Sequence, residues 1–123
     1  MNLPNAVRTR YENLRSIDYT GITAVYAVIG VALANPARMI VLTNDTDVGV
    51  YISLNGVDDK WYIPSKTSRL LDIGANKADQ GGFLEQPAGD IFYVKALPPI
   101  APAGQVLPTL GRVYLEATYV SQV

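Results

Sequence analysis

The chain has 123 residues, a length typical of one domain, and 49% of them are hydrophobic, which is enough for an ordinary core. It contains no cysteine and no histidine, which excludes disulfides, thiolate nucleophiles, Cys/His metal sites and proton transfer by imidazole. Ten Lys and Arg against eleven Asp and Glu give a net charge of −1, so no global positive field favours nucleic acid or an anionic membrane.

The first 21 residues differ in composition from the rest and predict an N-terminal arm or a short helix. Four apolar residues recur there at spacings of four, four and three, which would place them on one stripe of a helix. They are Leu3, Val7, Tyr11 and Leu14. A helix this short is marginal alone in water, so we expect it either to pack on its own domain or to dock on a neighbouring subunit.

Residues 22–123 show a different pattern, with short apolar segments separated by turn residues, which is typical of a β-sandwich. The nearly uncharged run at 21–34 is too short for a membrane span. It favours a strand at 22–31, and a secretory signal is the alternative that the residues leave open. Further strands are expected at 38–43, 48–54, 60–63 continued by 68–73 after Pro64, 91–97 and 112–119.

Turn residues between these segments indicate how the strands are connected. Asn55-Gly56 predicts a type I′ hairpin turn, because both residues tolerate positive φ. Residues 74–82 are small and polar and predict a surface loop. The short connections imply antiparallel neighbours, since parallel strands need long crossovers. The expected fold class is therefore all-β, a single antiparallel β-sandwich or jelly-roll-like domain with an N-terminal arm.

Outward-facing aromatic residues and an extended loop are the candidates for subunit contacts. Tyr51 and Tyr114 occupy outward positions of alternating strands, and tyrosine suits interfaces, although a solvated sheet face is the alternative. The Pro-rich loop at 98–108 is expected to be extended and carries apolar residues that a mere spacer would not need. The expected interface residues are Leu3, Val7, Tyr11, Leu14, Tyr51, Tyr114, Ile100, Val106 and Leu107.

Three polar groups invite a catalytic or metal-binding interpretation. Asp45 and Asp47 lack the bidentate Glu and spaced Gly of a calcium loop and predict Asx turns instead. Asp58 and Asp59 are adjacent, so on a strand they would point to opposite faces and could not act jointly as glycosidase carboxylates. Lys66 lacks the preceding Gly-rich run of a phosphate loop. We therefore predict no catalytic residue, no metal ligand and no cofactor.

A succession of loop motifs extends over roughly 22–120. They are Asn44-Asp45-Thr46-Asp47, Ile52-Ser53 before Asn55-Gly56, Ile63-Pro64, Leu71-Asp72, Asn76-Lys77, Pro87-Ala88-Gly89, Tyr93-Val94-Lys95 and Gly111-Arg112-Val113-Tyr114. Their order resembles that in small virion structural proteins of tailed bacteriophages. The resemblance implies a repeated β-sandwich subunit of the capsid, neck or tail that has no catalytic activity. The Pro-rich segment at 98–108 departs from the compact form of such proteins.

These observations predict a non-enzymatic virion protein that assembles in multiple copies at the capsid surface or head-to-tail neck, as a decoration or collar component. Its expected partners are further copies of itself and other virion proteins such as capsid, portal, neck or tail subunits, with no nucleic acid, membrane or small-molecule substrate. Synthesis in a reducing bacterial cytoplasm suits the lack of cysteine. The alternative is a carbohydrate-binding β-sandwich of a secreted or tail-associated protein, with Trp61, Tyr62 and Asp59 around its loops.

Overall fold

The computed structural model describes residues 7–73, 85–96 and 107–122. Within these ranges the chain consists mainly of β-strands, with one turn of 3-10 helix at Tyr19–Gly21. The strands are β1 (Val7–Tyr11), β2 (Arg15–Asp18), β3 (Ala27–Val28), β4 (Met39–Asn44), β5 (Val50–Ser53), β6 (Trp61–Ile63), β7 (Thr67–Leu71), β8 (Tyr93–Ala96) and β9 (Arg112–Gln122).

Two antiparallel sheets pack against each other. Sheet I has the order β1-β9-β4-β7, and β2 also pairs with β9. Sheet II has the order β3-β8-β5-β6. Every strand pair in both sheets is antiparallel. The predicted all-β antiparallel sandwich is therefore confirmed.

The core lies between the two sheets and is supplied by alternate residues of the strands. The alternation predicted for 48–54 and 112–119 is confirmed, because Val50, Ile52 and Leu115 are buried while their neighbours Tyr51 and Tyr114 are only half-buried. The buried apolar residues are Ile22, Ile29, Leu33, Ala37, Ile40, Leu42, Val50, Ile52, Ile63, Phe92, Val94, Ala96, Val113, Leu115 and Ala117.

The uninterrupted apolar sequence at 39–42 predicts a central strand with both faces covered, and β4 is central in sheet I. It pairs with β9 on one side and with β7 on the other. The expectation that both of its faces are covered is wrong, because Met39 is exposed and Val41 is half-buried on the side away from the core. Sheet I thus has one face on the core and one face towards solvent.

The helix predicted near the N-terminus is wrong for the residues that the structure describes. Residues 7–11 form β1 and 15–18 form β2, and both strands pair with β9. A short helix in water gains little, whereas β9 is eleven residues long and satisfies the backbone groups of both strands. The described part of this segment therefore forms two strands of sheet I rather than a helix.

The strand predicted at 22–31 shrinks to the two residues of β3. Of the apolar residues that suggested it, Ile22, Ile29 and Leu33 are buried but lie in irregular chain, whereas Val25, Val28 and Val31 are exposed. Backbone hydrogen bonds hold this chain in place, from the amide of Ile29 to the carbonyl of Phe92 and from the amide of Leu33 to the carbonyl of Asp90. The hydrophobic run therefore contributes these three buried side chains to the core without forming a long strand.

The chain reverses between β5 and β6, as predicted, but the type I′ turn is wrong. Gly56 has φ of 76°, while Asn55 does not adopt positive φ. Instead, the side-chain oxygen of Asn55 accepts hydrogen bonds from the amides of Val57 and Asp58, which stabilises a longer loop. The predicted interruption at Pro64 is confirmed, but the expected continuation of the same strand is wrong, because β6 ends before Pro64 in sheet II and β7 begins after it in sheet I.

A hydrogen-bonded cluster joins several of the loop motifs at the end of the sandwich where β4 ends. The amide of the fully buried Asn44 donates to the carbonyls of Val48 (2.8 Å) and Ile63 (3.0 Å). Gly111 has φ of 91°, and a Cβ there would lie 1.9 Å from the carbonyl oxygen of Asp45, so the close approach of these two loops requires glycine. These motif residues therefore stabilise the fold.

The Asx turn in this loop is made by Asn44, whose side-chain oxygen accepts from the amide of Thr46 (3.0 Å). The prediction that the side chains of Asp45 and Asp47 make Asx turns is wrong, because both carboxylates contact residues far away in the sequence. Asp45 pairs with Lys66 (3.1 Å), and hydrogen bonds from Thr109 to Asp47 hold the pKa of that carboxyl below its ordinary value. The two carboxylates thus have different partners.

Candidate subunit interface

Strand β9 has two halves with different partners. In its first half, β9 pairs with β4 over 113–118 and with β2 over 112–115. In its second half, at 119–122, it pairs with β1 alone among the described strands. Because β4 begins at Met39, opposite Thr118, the segments 7–10 and 119–122 continue beyond the end of the neighbouring strand. We call this two-stranded segment the ribbon.

The ribbon leaves the hydrophobic core. Along β9 the inward positions are Val113, Leu115 and Ala117, which are all buried. The next residues in the same alternation are Tyr119 and Ser121, and both are only half-buried. Within the part of the chain that the structure describes, no apolar layer like the one that covers the first half of β9 lies beneath the ribbon.

The ribbon carries positive charge and no negative charge. Arg8 and Arg10 are exposed, and neither forms an ion pair with a described residue. The guanidinium of Arg10 donates to the hydroxyl of Ser121 (3.1 Å). By the register of β1 and β9, Arg8 lies opposite Ser121 and Arg10 lies opposite Tyr119, so these four residues share one face of the ribbon.

The outer face of sheet I combines large apolar side chains with few charges. Tyr11 is 76% exposed, Leu14 58% and Leu70 56%, and Met39 is also exposed. The strand register aligns Leu70, Val41 and Glu116 in one row across the sheet, and Met39, Thr118 and Tyr11 in the next. We call this surface, Tyr11, Leu14, Met39, Val41, Leu70 and Glu116, the outer band.

A groove of about 550 Å³ runs through the outer band at the base of the ribbon. Its lining includes Tyr11, Leu14, Met39, Val41 and Glu116. Among the described residues, no cation forms an ion pair with Glu116, whose side chain is exposed. The groove therefore presents apolar walls and one unpaired carboxylate.

A buried ion pair fixes the point where the ribbon meets the sandwich. Arg15 and Glu12 are 2.7 Å apart, and their side chains are 7% and 3% exposed. The Arg15 guanidinium also donates to the carbonyls of Val31 (2.7 Å) and Ala32 (2.8 Å). The Glu12 carboxylate accepts from the backbone amides of 34–35. Sequence reasoning missed this pair, because the backbone groups that form hydrogen bonds with it, between 31 and 35, lie about twenty residues further along the chain.

The pKa of Glu12 reflects this environment. Burial alone would raise the pKa, but the hydrogen bonds from the backbone amides of Ala34 and Asn35 and from Arg15 outweigh it and lower the pKa below its ordinary value. Nearby, Gly30 has φ of 68°, and a Cβ there would lie 2.8 Å from Cβ of Arg15. The ionised pair and the close packing of Gly30 on Arg15 together hold the start of β2 against residues 30–35.

The outer face of sheet II carries a different cluster. The ammonium of Lys95 lies 3.3 Å from the carboxylate of Asp59, 4.8 Å from the ring centroid of Tyr26 and 5.8 Å from that of Tyr51. The rings of Tyr51 and Tyr62 are 5.4 Å apart. The hydroxyl of Tyr26 donates to Asp59, which together with Lys95 lowers the pKa of that carboxyl, while burial and Asp59 raise the pKa of Tyr26.

The predicted interface residues do not form one surface. Tyr11, Leu14 and Tyr114 lie on the outer side of sheet I, whereas Tyr51 lies on the opposite side of the molecule in the cluster of sheet II. Leu107 is exposed and precedes β9 in the chain. Val7 is in β1, and Leu3, Ile100 and Val106 lie outside the described residues.

The set of residues proposed for glycan binding is also divided. Trp61 turns towards the core and stacks on Phe92, with ring centroids 6.3 Å apart and an interplanar angle of 18°. Its neighbour Tyr62 is exposed on the outer face of sheet II, on the same side as Asp59. The two aromatic rings therefore do not form a common platform.

Within the described ranges, no helix has the length and apolar character of a membrane span, and no group of three or more acidic residues is placed to hold a metal ion. No protein-family model matches the chain, and neither a curated protein nor a solved structure matches it. The functional interpretation therefore depends on the residues of this chain.

Proposed function

We propose that the protein is a non-enzymatic structural subunit of a tailed-bacteriophage virion, present in multiple copies at the capsid surface or head-to-tail neck as a decoration or collar component. The observation that carries the proposal is the outer band of sheet I. Contiguous exposed apolar side chains with a polar rim are typical of surfaces that become buried between proteins. In this proposal the outer band contacts a neighbouring subunit of the particle.

The polar surroundings of the outer band support a specific contact. Next to it, the hydroxyls of Thr43 and Ser68 bond each other (3.0 Å). At the far end of sheet I, Arg112 lies 3.8 Å from Asp18. An apolar centre with paired polar groups at its margin matches the anatomy of protein interfaces.

The assignment to a virion depends on the order of the loop motifs. Several of these motifs meet in the cluster around Asn44 and Gly111, where they stabilise one end of the sandwich. The motifs thus support an architecture shared with the virion proteins that their order resembles, rather than a shared active site. A rigid sandwich repeated by symmetry gives a stable particle from modest individual contacts, which is the physical requirement for a virion subunit.

A carbohydrate-binding module is the second candidate, and the exposed ring of Tyr62 beside Tyr51 favours it, because sugars stack on exposed aromatic faces. Two contacts weigh against it. Trp61 stacks on Phe92 towards the core, and the carboxylate of Asp59 is already engaged by Tyr26 and Lys95. A glycan would have to compete with these partners for the polar groups that it needs.

The proposal is tested by the native mass of the purified chain, measured by light scattering over a concentration series, together with negative-stain images. We expect a closed oligomer, such as a trimer or pentamer for a capsid-surface component or a hexamer or dodecamer ring for a neck component. The double variant L14D/L70D should lose copies and retain its thermal transition. The matched control V57D changes a loop residue that is 75% exposed and should assemble normally.

Two outcomes would contradict the proposal. One is an oligomer that L14D/L70D leaves intact, because the outer band would then not be the contact. The other is a monomer whose single tryptophan, Trp61, shows saturable fluorescence quenching with a panel of glycans, which would establish the carbohydrate-binding module instead.

A further inference from the structure

We infer that the ribbon of one copy lies in the groove of the next copy, with Arg8 and Arg10 facing Glu116 there. This inference rests on the proposed multi-copy assembly and identifies the contact that builds it. Three independent features support it: the isolation of the ribbon, the distribution of charge, and the chemistry of the groove.

Among the described residues, neither a third strand nor an apolar layer covers the two strands of the ribbon. At 119–122, β9 has β1 as its only described partner, and the buried inward positions of β9 end at Ala117. A two-stranded ribbon alone is marginally stable in water and needs a third strand or a packed face to become stable. A neighbouring molecule supplies such a surface.

The distribution of charge identifies that neighbour as a second copy bound head to tail. The ribbon contributes two basic residues and no acidic one, which leaves eight basic and eleven acidic residues in the rest of the chain. Two ribbons therefore repel each other, whereas a ribbon and the body of another copy attract. A contact between two different surfaces of the same chain closes into a ring when the rotation permits.

The groove has the chemistry that complements the ribbon. One ribbon face presents Arg8, Arg10, Tyr119 and Ser121, which combines an aromatic ring with two guanidinium groups. The groove presents apolar walls, which suit the ring, and the unpaired carboxylate of Glu116, which suits a guanidinium. Because Tyr11, the last residue of β1, is itself part of the groove wall, the ribbon leads away from the groove of its own chain, so the occupant comes from another molecule.

Charge reversal and its rescue test the contact. Association is measured by sedimentation velocity over a concentration series for the full chain at about 0.05 M and about 1 M salt, between which the screening length falls from more than 10 Å to about 3 Å. We expect R8E/R10E and E116K each to weaken association by about tenfold or more. The triple variant R8E/R10E/E116K should recover most of the loss, since the reversed charges again attract.

Matched controls separate this contact from net charge and from folding. K60E/R69E makes the same change in net charge at exposed positions outside the ribbon and groove, and D72K does so for E116K. Both controls should associate like the wild-type chain. The neutral variant R8Q/R10Q removes the attraction without adding repulsion and should give an intermediate loss. Thermal transitions confirm that each variant is folded.

The outcomes distinguish this inference from the proposed function. An oligomer whose mass is unchanged in R8E/R10E and E116K overturns the ribbon contact and leaves multi-copy assembly intact. Loss of association in both reversals without recovery in the triple variant overturns the pairing with Glu116. A wild-type chain that stays monomeric at low salt at every concentration overturns both the ribbon contact and unaided self-assembly.

Discussion

The two halves of β9 have the same extended backbone and very different surroundings. In the first half, Val113, Leu115 and Ala117 are buried against sheet II while β4 and β2 pair with the strand on either side. In the second half, the strand pairs with β1 alone, and Tyr119 and Ser121 are half-buried. One continuous strand thus passes from the core of the molecule to a segment beneath which no described residue forms a core.

This difference separates residues that fold the chain from residues that are available for contacts. Full burial of a large apolar side chain stabilises a fold by about 1.5–3 kcal/mol, and the first half of β9 gains this contribution at its larger inward positions. The second half gains mainly hydrogen bonds with β1, each with a small net value in water. We therefore expect changes in the first half to alter folding and changes in the second half to alter association.

The largest expected effect is at the ion pair of Glu12 and Arg15, which lie where β1 ends and β2 begins. Arg15→Met leaves the carboxylate of Glu12 buried without its cation, which should lower the free energy of unfolding by about 3–5 kcal/mol. The matched control is Arg112→Met, which removes a half-exposed arginine 3.8 Å from Asp18 and should cost about 1 kcal/mol or less. Urea denaturation measures both. Equal losses would show that the buried pair does not fix the ribbon to the sandwich.

A direct comparison of the two halves comes next in size. Leu115→Ala creates a cavity beneath the first half and should lower the free energy of unfolding by about 2–5 kcal/mol. Tyr119→Ala, in the second half, should cost about 1 kcal/mol or less and reduce association instead. Urea midpoints and sedimentation report the two quantities separately. A larger loss of stability from Tyr119→Ala would mean that the ribbon is part of the folding core.

The pH dependence of stability gives a smaller and more specific effect. Because the pKa of Glu12 in the fold is below its ordinary value of 4.5, its stabilising contribution is present above that value and is lost as the pH falls through the lower folded pKa. The destabilisation caused by Glu12→Gln should therefore be greatest near neutral pH and shrink in acid. Urea denaturation of both proteins from pH 7 to pH 3 measures the difference, and a gap that widens in acid would contradict this sign.

The smallest effect is expected on the outer face of sheet II. Lys95→Met removes an ion pair with a half-exposed Asp59 and a contact with the rings of Tyr26 and Tyr51. We expect a loss of about 1 kcal/mol or less and unchanged association, because this face takes no part in the proposed contacts. If Lys95→Met had a lower native mass than the wild-type chain, the interface would lie on sheet II and not on sheet I.

Sequence reasoning succeeded where the hydrophobic pattern is local and regular. The period-two alternation around Leu115 and Ile52 predicted both the strands and their buried sides correctly. It failed at the N-terminus, because the apolar spacing there fits a helix while the partner that decides the structure is far away in the chain, as in the pair Val7 and Gln122. It also failed at Asn55, whose side chain bonds the following amides and replaces a two-residue turn.

The candidate site was predictable only in part for the same reason. Tyr11, Leu14 and Tyr114 were predicted as interface residues from apolar spacing and outward position, and the structure places them on one side of sheet I. The row of Leu70 and Glu116 depends on the register of β7 and β9 against β4, which no local pattern contains. The outward position of Glu116 in the β9 alternation was the local signal for this row.

Hydrogen exchange along β9, followed by mass spectrometry, tests the central claim most directly. The assembled wild-type chain at low salt is compared with R8E/R10E at the same concentration. We predict slow exchange at 113–117 in both proteins, and slow exchange at 119–122 in the assembled wild-type chain alone. Equal protection of 119–122 in the two proteins, whether high or low, would contradict the account, because the second half of β9 would then be indifferent to assembly.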